Sequence, residues 1–440
     1  MSASKPRVPQ LHLLESPEGQ HLFVADGSRL FDADANLFAQ IESAASESGS
    51  EGVAVLLKEI ALTGAPLIDD LPLQPPPIHA LSLAIAQKCN LGCTYCYAQQ
   101  GDFGGPAKNM TLATAFQAVD LLVNGAGPGA KLNLAFLGGE PLVNRPVLQA
   151  ATLHAAEMAG QRGIPITFSI TTNGTLVTEE DAVFFETHRF AVTVSLDGPR
   201  EVHNALRPYK SGNGSFDAIM RRIAPLLSGQ RRMQVSARVT VTPANLELRR
   251  TLDQFIDAGF HSVGFSPMLS APTGNGEMQE ADLAVMLGQM IDCGREFERH
   301  SLAGKRYPFA NMANAMREIA RGTHRPYPCG AGAGYLGVSA DGDLSACHRF
   351  VGDDAGGMGS LNAGVDLQRQ AEWLTERHVH KQEPCSSCWA RYLCGGGCHH
   401  EVIRRGRPAC DYIRGWLHYC LEAFLRLQPT GEPASCLTSV

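Results

Sequence analysis

The chain lacks clustered basic charge, a long apolar run, an internal repeat and any low-complexity tract. Its 37 Lys and Arg residues are scattered and the net charge is −7, so neither nucleic acid nor an anionic membrane surface is expected as a partner. No apolar stretch approaches the roughly 20 residues of a membrane span. The N-terminal MSASKPRVPQLHLLESPEGQ has no apolar core or cleavage site of the secretory type. A cytoplasmic location follows as the expectation, and there thiols stay reduced. With 440 residues, 44% of them hydrophobic, the chain can bury a substantial core in two or three domains.

Cysteine, by contrast, is plentiful. Ten of the 13 cysteines fall in spaced groups that suit metal ligation better than disulfide pairing. The first is Cys89, Cys93 and Cys96, C-x3-C-x2-C, directly after Leu81, Leu83 and Ile85, which alternate as a strand should. Three thiolates can hold three irons of a [4Fe–4S] cube and leave the fourth without a protein ligand, free to bind a substrate. Zinc or a simple redox loop would also use cysteines here, but neither accounts for the motifs that follow. With Tyr95 before the third cysteine, this loop resembles that of the radical S-adenosylmethionine (SAM) enzymes.

The organisation is read in four parts. Residues 1–75 form a small module: His21 to Ala25 and Ser28 to Phe31 flank Asp26-Gly27, a hairpin signal, and helical stretches follow at Leu37 to Ala45 and Val53 to Leu62. Pro75, Pro76 and Pro77 make a stiff linker. Residues 78–320 alternate strand and helix, with strands expected near Leu81–Ala86, Leu132–Phe136, Thr167–Thr171, Val192–Leu196, Gln234–Val241 and Ser262–Met268. Such alternation implies an α/β fold with parallel strands, here a partial (β/α)6 barrel of the TIM type, with its active site at the C-terminal strand ends. Residues 325–425 are cysteine- and glycine-rich, and 426–440 are a tail.

Each unusual polar motif follows a strand. Gly138-Gly139-Glu140 follows the second, Thr171-Thr172-Asn173-Gly174 the third and Ser195-Leu196-Asp197-Gly198 the fourth. A carboxylate suits the ammonium of SAM, and the family resemblance implies that Gly138, Gly139 and Glu140 meet that group. Its carboxylate and ribose would fall to Thr171, Asn173, Ser195 and Arg238, with Asp197 or Arg207 as lesser candidates and Tyr95 beside the adenine. Turn formation alone would also explain Asn173-Gly174 and Asp197-Gly198. The implied chemistry is one-electron cleavage of SAM, giving a 5′-deoxyadenosyl radical that takes a hydrogen atom from an unactivated carbon.

The later cysteines, Cys329 and Cys347, then Cys385-x2-Cys388-x5-Cys394-x3-Cys398 and Cys410, resemble the SPASM domain of radical SAM peptide maturases. That resemblance implies two auxiliary [4Fe–4S] clusters, three in all. One would use Cys329, Cys347 and Cys398, with no fourth cysteine; the other would use Cys385, Cys388, Cys394 and Cys410, with Cys420 as an alternative to Cys410. Cys293 and Cys436 fit no pattern.

Sulfatase-maturating enzymes share this architecture and carry an aspartate where this chain has His348, after Cys347. His348 is therefore the candidate catalytic residue, a proton-transfer group, although it could merely satisfy a polar contact. The segments Cys347 to Gly352, Met358 to Ser360 and Cys388 to Tyr392 resemble instead the maturases that join cysteine sulfur to carbon, nearest to those acting on quinohemoprotein amine dehydrogenase. The implied partners are a peptide or small protein carrying Cys and Asp or Glu, and a reducing electron donor such as flavodoxin or ferredoxin. The N-terminal module resembles a peptide-recognition element that takes a leader peptide by strand addition; a structural cap is the plain alternative. Carbon–carbon crosslinking, sulfatase maturation and a non-catalytic electron carrier are competing readings.

Overall fold

The computed structural model describes residues 11–16, 19–62 and 67–427. Strand β1 (Leu11–Ser16) precedes the expected hairpin, β2 (Gly19–Val24) and β3 (Arg29–Ala33), and all three pair antiparallel in the order β1-β2-β3. Asp34 caps the following helix, Ala35–Glu59, by accepting the Leu37 N–H at 2.7 Å. Gly49, at φ 59° and ψ −143°, breaks that helix into the two stretches the sequence suggests.

The module has two faces. Leu11 and Leu22 pack on Phe38, Ile41, Val53 and Leu57 in a core of their own, whereas Leu14, Phe23 and Leu30 join the main core. The His12 ring lies flat on Trp389 at 3.9 Å between centroids, with Phe23 edge-on to the same indole. The part read as a separate module is thus seated on the cysteine-rich region. Its residues 1–10 lie outside the described residues, as do 428–440 of the tail, Cys436 among them.

The body is one sheet. Its parallel run is β4 (Ala80–Gln87), β6 (Leu132–Gly138), β7 (Ile166–Thr172), β8 (Ala191–Ser195), β9 (Gln234–Val241) and β10 (Ser262–Pro267), in that spatial order, with the two-residue β5 (Lys108–Asn109) paired antiparallel to β4. The six strands stand within a residue or two of their expected bounds. Beyond β4 the sheet does not stop. Strand β11 (Tyr335–Val338) pairs parallel to β4, and β12 (Asp343–Ser345), β13 (Gly357–Ser360) and β14 (Gly364–Val365) continue it antiparallel. The cysteine-rich region is thereby joined to the body through backbone hydrogen bonds, where the sequence suggested a break near residue 325.

Period-two patterning decides what the sheet encloses. One face carries Leu81, Leu83, Ile85, Leu134, Phe136, Phe168, Ile170, Val192, Val194, Val235 and Val239, all in the main core. The other face presents Thr171, Thr193, Ser195, Ser236, Arg238, Thr240, Ser262, Gly264 and Ser266 to a cavity of about 710 Å³. Bulky branched side chains would fill such a space; small hydroxyl residues and glycine leave it hollow. Among the described residues no helix is long and apolar enough to cross a membrane.

His203 links fold to pH. Fully buried, it accepts the Asp197 N–H at 3.3 Å and meets Ser215 Oγ at 3.0 Å, and burial pushes its pKa down to about 3. The unfolded chain binds a proton near pH 6.5 that the native imidazole refuses, so this contribution is complete above that pH and is lost as pH falls toward 3. Melting temperature should drop from pH 7.5 to pH 5, by about 1.4 kcal/mol of stability per unit below 6.5, and His203→Asn, which keeps an acceptor, should flatten that slope.

Candidate active site

The loop after β4 brings Cys89, Cys93 and Cys96 to one wall of the cavity. Its shape is fixed from outside: Gly92 N–H donates to Pro208 O at 2.8 Å, Thr94 N–H to Leu206 O at 3.0 Å and Lys210 N–H to Asn90 O at 3.2 Å. It rests on glycines. A Cβ at Gly101 would stand 2.7 Å from Cys89 Cβ, and one at Gly139 would stand 2.8 Å from Gly101 Cα. Gly101 is a residue the sequence reading missed, because its role is a close approach between distant backbones. Burial raises all three thiol pKa values, Cys93 to about 11. Thiolates here need a cation, which bound iron would supply.

Gly138 and Gly139 line the cavity beside this loop, Gly139 N–H donating to Ala86 O at 2.8 Å. Glu140 does not line it. Its carboxylate is completely buried, accepting the Leu142 N–H (3.0 Å), the Thr172 hydroxyl (2.8 Å) and the Asn173 N–H (2.7 Å), and burial pushes its pKa up to about 6. Three donors thus turn this carboxylate inward, and the rim beside the loop presents glycine backbone.

Tyr95, Thr171, Asn173, Ser195 and Arg238 all line the same cavity. Tyr95 is nearly buried, its hydroxyl bonded to Asp197 and receiving Arg207 Nη1–H at 2.8 Å. Asp197 itself is buried, takes the Thr240 N–H at 3.1 Å and lies 3.8 Å from Arg207. Arg207 also lines the cavity, and its Nε is buried without a partner. That orphaned donor beside three thiols and a glycine rim fits the carboxylate of an amino acid chelated there. Arg238, hydrogen-bonded to Ser266, opens onto the hollow rather than bulk solvent, and enclosure lowers its pKa.

The C-terminal region completes the lining with His348, Arg349, Cys398 and Glu401, His348 and Arg349 lying beside Tyr97 of the cysteine loop. Arg349 Nη1 donates to Glu401 Oε1 at 2.7 Å and its guanidinium lies 5.4 Å from the Tyr97 ring centre. His348 Nδ1 meets Tyr335 OH at 2.9 Å, and that hydroxyl also donates to Ser82 Oγ at 2.8 Å. Burial pushes His348 down to about 4, so its imidazole is neutral at pH 7. Nothing in the local sequence marks Glu401, Arg349 or Tyr335 as partners, since they meet only across the tertiary fold.

Burial raises the Cys347 thiol, and its neighbours Cys398 and Cys329 add to that. A second, apolar chamber is lined by Cys385, Cys388, Cys394 and Cys410 together with Leu269, Val402 and Ile413, and Cys398 lines both the hollow and this chamber. Cys420, the alternative to Cys410, is excluded from it: that thiol is fully buried in the helix Cys410–Leu427, 3.9 Å from Met312 Sδ. Cys293 is likewise a buried core thiol. Among the described residues no three His, Cys, Asp or Glu side chains approach as closely as a single ion requires; one zinc gathers its ligands tightly, whereas a cube of four irons spreads them. Cys410→Ser should lower iron content in anaerobically reconstituted protein, and Cys420→Ser should leave it unchanged.

Residues 83–243 match the Radical SAM superfamily. The chain carries a radical SAM domain and is an enzyme of that superfamily. It is 25% identical over 357 residues to the serine-type anaerobic sulfatase-maturating enzyme of Klebsiella aerogenes, covering 78% of this chain and 85% of that protein. To the cysteine-type enzyme of Clostridium novyi it is 30% identical over 201 residues, 44% of this chain and 52% of that one. The fold is shared with native anSMEcpe with bound AdoMet, at a TM-score of 0.65 and 21% identity over 80% of this chain and 98% of that one. It is also shared with Streptococcus suis SuiB, at a TM-score of 0.52 and 15% identity over 92% and 97%. A radical SAM domain implies SAM and one [4Fe–4S] cluster, which the triad Cys89, Cys93 and Cys96, the glycine rim and Arg207 are suited to hold.

Proposed function

We propose that this radical SAM enzyme matures a peptide or small protein by forming thioethers between Cys sulfur and a carbon of Asp or Glu, as in the small subunit of quinohemoprotein amine dehydrogenase. The observation that carries the reading is one hollow lined by cysteines from both regions. Cys89, Cys93 and Cys96 line it together with Cys398 and His348, so a substrate side chain in it is within reach of a SAM-binding cluster on the first three and a first auxiliary cluster on Cys329, Cys347 and Cys398. That auxiliary set has three cysteines, which leaves an iron for a substrate thiolate. Cys385, Cys388, Cys394 and Cys410 hold the second auxiliary cluster in their apolar chamber.

Cluster and SAM together supply one-electron chemistry able to remove a hydrogen atom from an unactivated carbon. The chain's own residues provide the rest. Gly138 and Gly139 receive the ammonium through backbone, Arg207 and Ser195 receive the SAM carboxylate, Tyr95 closes the adenine side, and Arg349 paired with Glu401 keeps the C-terminal part of the lining neutral. His348, held neutral and fixed by Tyr335, accepts a proton at the ring nitrogen not bonded to that hydroxyl. The N-terminal sheet, seated on Trp389, guides the peptide.

The sequence relatives favour a second reading, maturation of a sulfatase serine or cysteine. Product analysis separates the two. Thioether formation removes two hydrogens per crosslink, and a Cys→Ala peptide shows no such loss. A product that reacts with a hydrazide probe, and so contains a new carbonyl, would replace this reading with the sulfatase one. Reduced protein that forms no 5′-deoxyadenosine from SAM would leave neither.

A further inference from the structure

Of the three thiols on the first wall, Cys89 alone takes a side-chain N–H among the described residues: Asn173 Nδ2 stands 3.6 Å from its sulfur, and the Leu91 N–H 3.4 Å. The aim of that amide is tightly set. Asn173 Oδ1 accepts the Thr175 N–H (2.9 Å) and hydroxyl (2.6 Å), while Nδ2 also donates to Asn90 Oδ1 (2.9 Å). Asn90 Nδ2 closes the ring on Thr175 Oγ1 at 2.8 Å. A flipped Asn173 amide would oppose two donors to each other, so the network fixes which atom is nitrogen. Beneath it, the buried Glu140 carboxylate holds the Asn173 N–H and the Thr172 hydroxyl, whose oxygen in turn accepts the Gly174 N–H at 3.0 Å.

We infer that Asn173 is a thiolate hydrogen-bond donor that raises the reduction potential of the SAM-binding cluster, and that Glu140 is the positioning residue that aims it. A donor on a ligating sulfur withdraws electron density and favours the more negative, reduced cluster. Neither residue need touch SAM for this. The inference rests on the reading that Cys89, Cys93 and Cys96 hold that cluster.

The test is a potentiometric titration of anaerobic, full-length, iron-replete protein without SAM, followed by electron paramagnetic resonance. The first cluster is the signal that changes when SAM is afterwards added; the auxiliary signals are internal references. In Asn173→Leu the reduction equilibrium of that cluster should fall about tenfold, equivalent to about 59 mV for one electron. Asn173→Asp should fall further, and Asn173→Gln, which keeps an N–H donor, should stay nearer wild type. Glu140→Gln, able to accept with one atom only, should shift the same cluster in the same direction and stands in if Asn173→Leu binds too little iron.

An unchanged SAM-free potential in Asn173→Leu or in its Glu140→Gln stand-in overturns the inference. A tenfold loss of SAM affinity at unchanged potential would make Asn173 a SAM contact instead. Cys89→Ala distinguishes the two levels of failure: survival of the SAM-responsive signal there defeats the assignment of the triad itself, whereas its disappearance leaves only the hydrogen bond in question.

Discussion

Cys93→Ala should bring 5′-deoxyadenosine formation to background and remove the SAM-responsive cluster signal. Cys93 lines the cavity between Cys89 and Cys96, and burial holds its thiol near pKa 11, with Arg207 the main opposing charge. Such a thiol is a ligand only while a metal cation stabilises its thiolate. Removing one of three thiolates deletes about a third of a binding free energy on the order of 10 kcal/mol, or about 10²- to 10³-fold in cluster retention. The loss should be confined to the first site. Iron at the proposed auxiliary sites, read by quantitation after reconstitution, should persist, because Cys385, Cys388, Cys394 and Cys410 do not line the hollow that holds Cys93. Full SAM cleavage by this variant would remove the triad from the mechanism.

Gly139→Ala should leave the three cysteines in place and still weaken SAM binding. A Cβ there would lie 2.5 Å from the Lys88 carbonyl carbon and 2.8 Å from Gly101 Cα, both backbone atoms of the segments that bed Cys89. Backbone cannot swing aside as a side chain does, so the rim must move outward. Overpacking of this kind costs about 1–3 kcal/mol. Loaded onto the surface proposed to receive the SAM ammonium, it corresponds to about 10- to 100-fold weaker binding. Equilibrium dialysis of oxidised protein measures this directly. Gly160→Ala, where nothing lies within 4 Å of the added carbon, is the control and should bind SAM normally.

Much of this was legible in the chain because side-chain period and burial tell the same story along each parallel strand. In β9, Val235, Val239 and Val241 alternate with Ser236, Arg238 and Thr240, and the observed bounds coincide with those read from sequence. The first strand of the N-terminal sheet was not legible. Leu11 to Ser16 carries two adjacent leucines and no alternation that a single strand would declare, and only pairing with β2 reveals it. The orientation of Glu140 was not legible for a related reason: a carboxylate after two glycines at a strand end suggests a ligand, and its partners, Thr172 and the Asn173 amide, arrive from a loop more than 30 residues away.

The sequence alone determined which residues are candidates for the chemistry, their order along the chain, and that each polar motif follows a strand. Spacing and period are local properties, and local backbone geometry obeys them. The tertiary structure decided which way those groups turn: that Glu140 points inward, that Cys410 and not Cys420 lines the apolar chamber, that Arg207 lines the hollow with its Nε buried and unpartnered, and that His348 and Glu401 join the same lining. Those outcomes depend on burial and on partners brought together by folding, which no stretch of sequence contains by itself.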